Sequence, residues 1–149
     1  MPQIEREYVA TGKVKYVLRD FPLEAIHKDA FKAGEAAHCA GEQGKFWEMH
    51  ARLFAHQGAL GPNDLVQRAQ ALGLDVPRFQ QCLESAKYAP RIRKDLADGQ
   101  RAGVSGTPTF FLGLSEPNGR EVRVVRMIRG ALPYTSFKDA IDSLLSPPK

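Results

Sequence analysis

A proline that directly precedes an aromatic, β-prone run is the feature of this sequence that most restricts its fold. The run reads Val104-Ser105-Gly106-Thr107-Pro108-Thr109-Phe110-Phe111. Proline has no backbone N–H, so it belongs at the first residue of a strand or on a sheet edge, and Gly106 lets the chain bend tightly just before it. Thr107-Pro108 is therefore a candidate cis peptide bond, although an ordinary trans proline at a loop-to-strand boundary would give the same pattern. The segment predicts a loop that presents backbone groups to a ligand at the end of a strand.

The length and the composition predict one globular domain. The 149 residues can bury a core, and 43% hydrophobic with 26% charged residues is usual for a soluble protein. No apolar run approaches the roughly 18 residues that cross a bilayer, and residues 1–7 lack the basic start and apolar run of a signal peptide. The net charge of +4 comes from basic residues interleaved with acidic ones, so we expect no nucleic-acid partner. No phosphate-binding, Ser-His-Asp or paired-carboxylate motif indicates a cofactor or a hydrolytic site.

Hydrophobic spacing and turn residues predict a helix, a strand, a helical block, a strand hairpin and a last helix. Val14, Tyr16 and Leu18 alternate with basic residues, which predicts the first strand. Asp75 is predicted to cap a helix, and Asn118-Gly119 predicts the turn of an antiparallel hairpin. The predicted helices cover residues 4–9, 25–40, 45–56, 62–72, 75–86, 90–103 and 133–145, and the predicted strands cover 14–18, 109–114 and 121–129.

Several segments of the chain, in this order, are similar to segments of one family. They are residues 14–23, Cys39-Ala40-Gly41-Glu42-Gln43-Gly44-Lys45-Phe46-Trp47, Phe79-Gln80-Gln81-Cys82-Leu83, residues 103–111 and Gly130-Ala131-Leu132-Pro133-Tyr134. The Gly-Lys-Phe-Trp and Gly-Thr-Pro-Thr-Phe motifs are each moderately specific, and their order and spacing together are more specific. The chain resembles the DsbA-like thiol:disulfide oxidoreductases over nearly its whole length.

This resemblance implies an α/β (α+β) protein with a thioredoxin-like fold and an inserted helical subdomain. Residues 1–23 and 104–149 would form the thioredoxin-like part and residues 24–103 the insertion, within a single domain 1–149. The family's first strand and the start of its first helix should precede Met1, so the chain resembles an N-terminally truncated member. The missing strand would lie between the strands predicted at residues 14–18 and 109–114, which leaves backbone groups there open to a partner.

The resemblance also implies a function, the exchange of disulfides through a mixed-disulfide intermediate. Gly106, Thr107 and Pro108 would bind substrate, with Pro108 in the cis form beside the redox site and the Thr107 backbone pairing with a peptide like an added strand. The family's Cys-x-x-Cys motif is absent from this sequence. We therefore expect no catalytic residue in the chain and no redox activity from it as given.

The two cysteines, Cys39 and Cys82, leave three interpretations open. Each lies on an apolar helical face, so both could be buried thiols that act as small hydrophobic residues. They could instead form a structural disulfide between two helices, as in some members of the resembled family. A zinc site with His38 or His50 is the third alternative, although no pair shows ligand spacing. No acidic partner stands at a useful spacing from His38, and Asp20 is interpreted as a turn residue.

Two other functions fit the same residues. The chain could be a non-catalytic module that binds extended peptides or associates with a second copy through the open sheet. A glutathione-dependent relative of the same fold is less well supported, because Thr107 before Pro108 favours the oxidoreductase branch. The expected partners are extended or unfolded polypeptides, a redox partner protein and a second copy of the chain. The resemblance implies a periplasmic or other extracytoplasmic location.

Overall fold

The computed structural model describes residues 2–116 and 121–146, which divide into two compact units. One unit comprises residues 1–18 and 104–149, and the other comprises residues 19–103. The described helices and strands, in chain order, are α1 (Pro2–Ile4), a π-helical segment (Glu5–Val9), α2 (Ala30–Gly41), α3 (Phe46–Ala55), α4 (Pro62–Ala71), α5 (Val76–Glu84), α6 (Ala89–Arg101), β1 (Thr109–Ser115), β2 (Val122–Arg129) and α7 (Tyr134–Leu145).

The two strands of the first unit form an antiparallel hairpin. The ladder runs from the pair Thr109 and Arg129 to the pair Ser115 and Val122. The register shifts after Leu112, so that Val125 is the extra residue of a β-bulge. The antiparallel pairing predicted from the sequence is thus confirmed, whereas the turn predicted at Asn118-Gly119 lies outside the described residues.

The core of the first unit lies between the hairpin and the two terminal helices. Its buried members come from α1, the π-helical segment, β2 and α7, and they are Ile4, Tyr8, Ile128, Phe137, Ala140 and Ile141. Phe110 of β1 packs edge-on against Phe137, with ring centroids 4.8 Å apart. The buried Tyr8 hydroxyl donates a hydrogen bond of 2.7 Å to Oδ1 of Asp142, which links the first helical turns to α7. The helix predicted at residues 4–9 is therefore present, partly in π-helical form.

The second unit is a group of five helices, α2 to α6, around its own apolar core. The largest side chains that are completely buried in it are Phe79, Met49, Leu65 and Ile92. Asp75 caps α5 as predicted, since its carboxylate accepts a hydrogen bond of 3.0 Å from the Arg78 N–H. Prolines occupy the first turns of α4, α5 and α6, where a missing N–H costs nothing.

The strand predicted at residues 14–18 is absent from the structure. The segment has no regular secondary structure, although Val14 packs against the core of the first unit and exposure alternates along the segment as a strand pattern requires. The sheet within the described residues contains β1 and β2 alone. Alternation predicts which side chains point inward, but a strand also needs a neighbour to complete its ladder, and the described sheet supplies none here.

Helix α2 begins at Ala30, five residues later than predicted. The preceding residues close separate turns instead, in which the N–H groups of Ile26 and His27 both donate to the Leu23 carbonyl. A further turn hydrogen bond joins the Ala30 N–H to the His27 carbonyl. The alanine-rich composition identified the helix correctly, but it did not locate the start.

Candidate functional site

The Gly106-Thr107-Pro108 loop leads directly into β1, and the peptide bond between Thr107 and Pro108 is cis. Two hydrogen bonds hold the loop. The Thr109 hydroxyl donates to the Gly106 carbonyl at 2.7 Å, and the Gly130 N–H donates to the Pro108 carbonyl at 2.8 Å. The loop backbone is therefore fixed on both sides of Thr107.

Thr107 itself is open to a ligand. Its side chain and that of Pro108 are exposed, and no other described residue hydrogen-bonds to the Thr107 backbone. A Cβ added at Gly106 would meet no atom within 4 Å, so the space beside the loop is also open. A backbone N–H and C=O that lack partners in an exposed residue just before an edge strand can pair with an extended chain.

The two cysteines form a disulfide that joins α2 to α5. The Cys39 and Cys82 Cα atoms are 5.8 Å apart and the sulfurs are bonded at 2.05 Å. Both residues are buried, with 1% and 7% of their surface exposed. The bond decides between the three interpretations of the sequence, because it leaves neither a free thiol nor a thiolate available for zinc.

A carboxylate lies beside this disulfide. Glu42 Oε1 is 3.9 Å from the Cys82 sulfur and accepts a hydrogen bond of 3.0 Å from the Tyr88 hydroxyl. Lys87 Nζ is 2.5 Å from the same carboxylate. The hydrogen bond from Lys87, followed by that from Tyr88, lowers the pKa of Glu42, so the carboxylate stays ionised at neutral pH. Sequence reasoning did not single out Glu42, because Cys82 and Tyr88 stand 40 and 46 positions away in the chain.

Asp20 and His38 form a second polar pair that sequence reasoning missed. Asp20 Oδ2 is 2.7 Å from His38 Nε2, and both side chains are largely buried. The imidazole stacks on Tyr88, with ring centroids 5.1 Å apart, and also contacts Phe46. The expectation that His38 lacks an acidic partner, and that Asp20 is a simple turn residue, is therefore wrong.

The residues next to this pair are held by a group of charges on α6. The Arg19 guanidinium binds Asp95 through Nε at 2.6 Å and Asp98 through Nη2 at 2.7 Å. Asp95 also accepts a hydrogen bond of 3.2 Å from the Asp20 N–H. The hydrogen bond that Arg19 donates to Asp95 is the largest cause that raises the pKa of Arg19, so the guanidinium stays charged. These contacts fix the start of the 20–23 segment.

Known proteins share both the sequence pattern and the fold of this chain. Residues 1–142 match the family model described as Thioredoxin, which covers more than half of the chain. The chain therefore belongs to the thioredoxin family, and the α+β class with a thioredoxin-like fold, expected from the sequence, is confirmed.

Within that family, the chain has the fold of the DsbA proteins. It is similar to the thiol-disulfide exchange protein alpha-DsbA2 from Wolbachia pipientis, with a TM-score of 0.73 and 19% identity, over 95% of this chain and 72% of that one. It is also similar to a cysteine-to-alanine variant of alpha-DsbA1 from Wolbachia pipientis, with a TM-score of 0.79 and 22% identity, over 97% of this chain and 74% of that one. The DsbA-like resemblance of the sequence is confirmed at the level of the fold.

The sequence identity is higher to segments of membrane transport proteins than to these DsbA structures. A segment of Na(+)/H(+) antiporter NhaA 1 from Salinispora arenicola is 48% identical over 107 residues, which are 72% of this chain and 16% of the antiporter. A segment of NhaA 3 from Salinispora tropica is 44% identical over 119 residues, which are 80% of this chain and 18% of that protein. The chain thus spans less than a fifth of the length of these curated relatives. Among the described residues, no helix has the length and apolar composition needed to cross a bilayer.

Proposed function

We propose that this chain is the polypeptide-binding part of a DsbA-like thiol:disulfide exchange protein, and that Gly106, Thr107 and Pro108 form its substrate-binding loop. The observation that supports this most is the exposed Thr107 just before β1, whose backbone bonds to no other described residue while hydrogen bonds hold the loop on both sides of it. An extended peptide would pair with Thr107 as an added strand. The likeness in fold to thiol-disulfide exchange proteins supports the same proposal.

The chain by itself is proposed to be inactive in dithiol exchange. Exchange begins when a thiolate attacks a disulfide, so an accessible cysteine is needed. Both cysteines of this chain are consumed in one buried disulfide. An insulin-reduction assay on the pure protein, with a small thiol as the electron source, is expected to show only the background rate. Turnover that the Cys39→Ala and Cys82→Ala variants abolish would contradict this part of the proposal.

Peptide binding can be tested without any thiol chemistry. The probe is a reduced and alkylated unfolded polypeptide, whose binding is followed by calorimetry. Gly106→Val places bulk in the open space beside Thr107, where it meets no atom of the free protein, so we expect it to abolish binding and leave stability unchanged. Gly58→Val is the matched control, because the space around Gly58 is equally open and lies outside the loop. Equal binding by the Gly106→Val variant and the wild type would refute the loop assignment.

A non-catalytic role with a second copy as the partner is the alternative that the same assays address. Light scattering of the pure chain would show a dimer in that case. The proposed partners are otherwise extended polypeptides and a redox protein that supplies the exchanging cysteines. By family resemblance, we place the chain in the periplasm or another extracytoplasmic space. A glutathione-dependent activity remains the less favoured alternative, which glutathione binding would reveal.

The antiporter relatives support a second proposal, that the chain acts beside or within a membrane transport protein. Identity of 44% and 48% over most of the chain is much higher than the identity to the DsbA structures. Antibodies against this chain should detect the native product in the membrane fraction of its source cells. A product near 16.5 kDa that is confined to the non-membrane fraction would contradict the proposal.

A further inference from the structure

Three charged side chains meet next to the disulfide that joins α2 to α5. The Glu42 carboxylate contacts the Cys82 sulfur at 3.9 Å through Oε1, and Lys87 Nζ is 2.5 Å from the same oxygen. Arg78 Nη2 is 4.0 Å from the other carboxylate oxygen. Two basic side chains are thus held at the carboxylate that contacts this sulfur.

The carboxylate is shielded from water more than its basic partners are. The Glu42 side chain exposes 16% of its surface, whereas the Lys87 and Arg78 side chains each expose 59%. Solvent and salt therefore screen the two positive charges more than the negative one. The Tyr88 hydroxyl also donates a hydrogen bond to this carboxylate. Glu42 thus acts on the Cys82 sulfur with a negative charge at short range.

The charged pairs on the neighbouring elements are matched within themselves. Lys32 of α2 donates to the carbonyl of Leu83, the residue after Cys82, and forms an ion pair of 2.9 Å with Glu35. Asp20 pairs with His38, the residue before Cys39, and exposed Arg91 of α6 acts on the Tyr88 hydroxyl. Glu42 differs from these groups because it contacts a sulfur of the disulfide itself.

Reduction of a disulfide by a thiol places negative charge at both ends of the bond that breaks. A thiolate attacks one sulfur, a new S–S bond forms, and the other sulfur leaves as a thiolate that takes up a proton from water. A second thiolate then attacks the mixed disulfide. Two external thiols are oxidised to one disulfide, and both cysteines of the protein are reduced.

Glu42 opposes attack on either sulfur. A thiolate that attacks Cys82 must bring its charge toward the carboxylate. A thiolate that attacks Cys39 expels Cys82, whose new charge then forms 3.9 Å from the same carboxylate oxygen. Basic neighbours such as Lys87 and Arg78 would make a cysteine more reactive if no carboxylate offset them.

We propose that Glu42 protects the disulfide between Cys39 and Cys82 from attack by thiolates. The carboxylate repels the negative charge of the exchange step and offsets the attraction of the two cations that it holds. The low exposure of the two cysteines, 1% and 7%, adds a steric barrier. This role goes beyond the proposed binding of polypeptides at Thr107 and does not depend on it.

The rate at which the disulfide of the folded full chain is reduced tests the proposal. The reductants are mercaptoethanesulfonate, whose thiolate is the attacking group, and a neutral phosphine, and free cysteines are alkylated and counted by mass spectrometry. We expect Glu42→Gln to raise the rate with the thiol about five-fold or more, the factor that two unit charges about 4 Å apart give even in bulk water. The rate with the phosphine should not rise, because the attacking phosphorus is neutral and becomes positive.

A second variant has an expected effect of opposite sign. Lys87→Met removes a cation from the carboxylate, so it should slow reduction by mercaptoethanesulfonate by about two-fold or more, a smaller factor because the lysine is exposed and screened. Loosened packing would speed reduction instead. Glu48→Gln is the matched control, since Glu48 forms an exposed ion pair of 2.9 Å with Lys45 at the start of α3. Its rates should equal those of the wild type.

Two results for Glu42→Gln would overturn the proposal. One is reduction by the thiol at the wild-type rate. The other is an equal rise in the rates with thiol and phosphine, which would show that the helices open more readily rather than that repulsion is lost. If Glu42→Gln fails to fold, faster reduction of Lys87→Met by the thiol overturns the proposal instead. The calorimetric assay of the Thr107 loop involves no reductant, so the two proposals are judged separately.

Discussion

At the scale of single residues, Gly113 shows where backbone contact restricts the sequence. A Cβ at this position would lie 2.5 Å from the Arg123 carbonyl oxygen and 2.6 Å from Val122 Cγ1. The register of the ladder shifts next to Gly113, and the carbonyl belongs to the paired strand, so it cannot move freely. Gly113→Ala should therefore cost about 1–3 kcal/mol of unfolding free energy, the usual range for overpacking.

Urea unfolding measures this difference, and Gly58→Ala is the control. A Cβ at Gly58 meets nothing within 4 Å, so its substitution should change stability by less than about 0.5 kcal/mol. Equal stability of the Gly113→Ala and Gly58→Ala variants would contradict the close contact between Gly113 and β2.

Asp98 is a carboxyl group whose ionisation the folded structure changes strongly. Lys94 donates a hydrogen bond of 2.7 Å to it and Arg19 another, and these bonds lower the pKa of Asp98 to about 2. A carboxyl group with a lowered folded pKa adds stability that is complete above its unfolded pKa of about 3.9 and is lost as the pH falls through the folded value. We expect this contribution to disappear between about pH 4 and pH 2.

An NMR titration of the Asp98 carboxyl carbon checks this prediction. The midpoint should lie at about pH 2 in the wild type and rise toward the ordinary value in Lys94→Met, which removes the largest cause of the shift. Lys28→Met, which removes an exposed lysine outside this cluster, should leave the midpoint where it is. A wild-type midpoint at the ordinary aspartate value of about 3.9 would rule out the charge cluster.

At the scale of helices and strands, local signals were sufficient for most of the fold. Proline in the first helical turn and Asp75 as an N-cap marked α4, α5 and α6 of the second unit, because capping depends on neighbours in the chain. The prediction of a strand at residues 14–18 was wrong for the opposite reason. A strand needs hydrogen bonds to a neighbouring strand, and that neighbour lies elsewhere in the sequence. The pairs Asp20 with His38 and Glu42 with Tyr88 were missed on the same ground.

The disulfide between α2 and α5 is predicted to stabilise the second unit strongly. It closes a loop with a sequence separation of 43, which corresponds to about 4 kcal/mol by the loss of chain entropy in the unfolded state. The Cys39→Ala, Cys82→Ala double variant should therefore unfold at a lower urea concentration by about this free energy. Wild-type protein unfolded under reducing conditions is the control and should approach the same stability. A double variant as stable as the oxidised wild type would show that the bond contributes no net stability.

At the scale of the whole molecule, the two units differ in how much apolar surface each one buries. The buried cluster of the second unit includes Phe79, Met49 and Leu65, all completely buried, and the disulfide lies within that cluster. The cluster of the first unit has six buried members, and its sheet has two strands in the described part of the chain. Two-stranded sheets are marginally stable alone, so the first unit should open more readily.

Native-state hydrogen exchange tests this difference directly. We expect amides of α2 and α5 to exchange more slowly than amides of β1 and β2, by about ten-fold or more, because local openings follow the amount of buried apolar contact. The Cys39→Ala, Cys82→Ala double variant should lower protection in α2 and α5 and leave the hairpin amides unchanged. If all four elements exchanged at one common rate and the variant accelerated them equally, the chain would open as one cooperative unit. That result would contradict the prediction that the first unit opens more readily than the second.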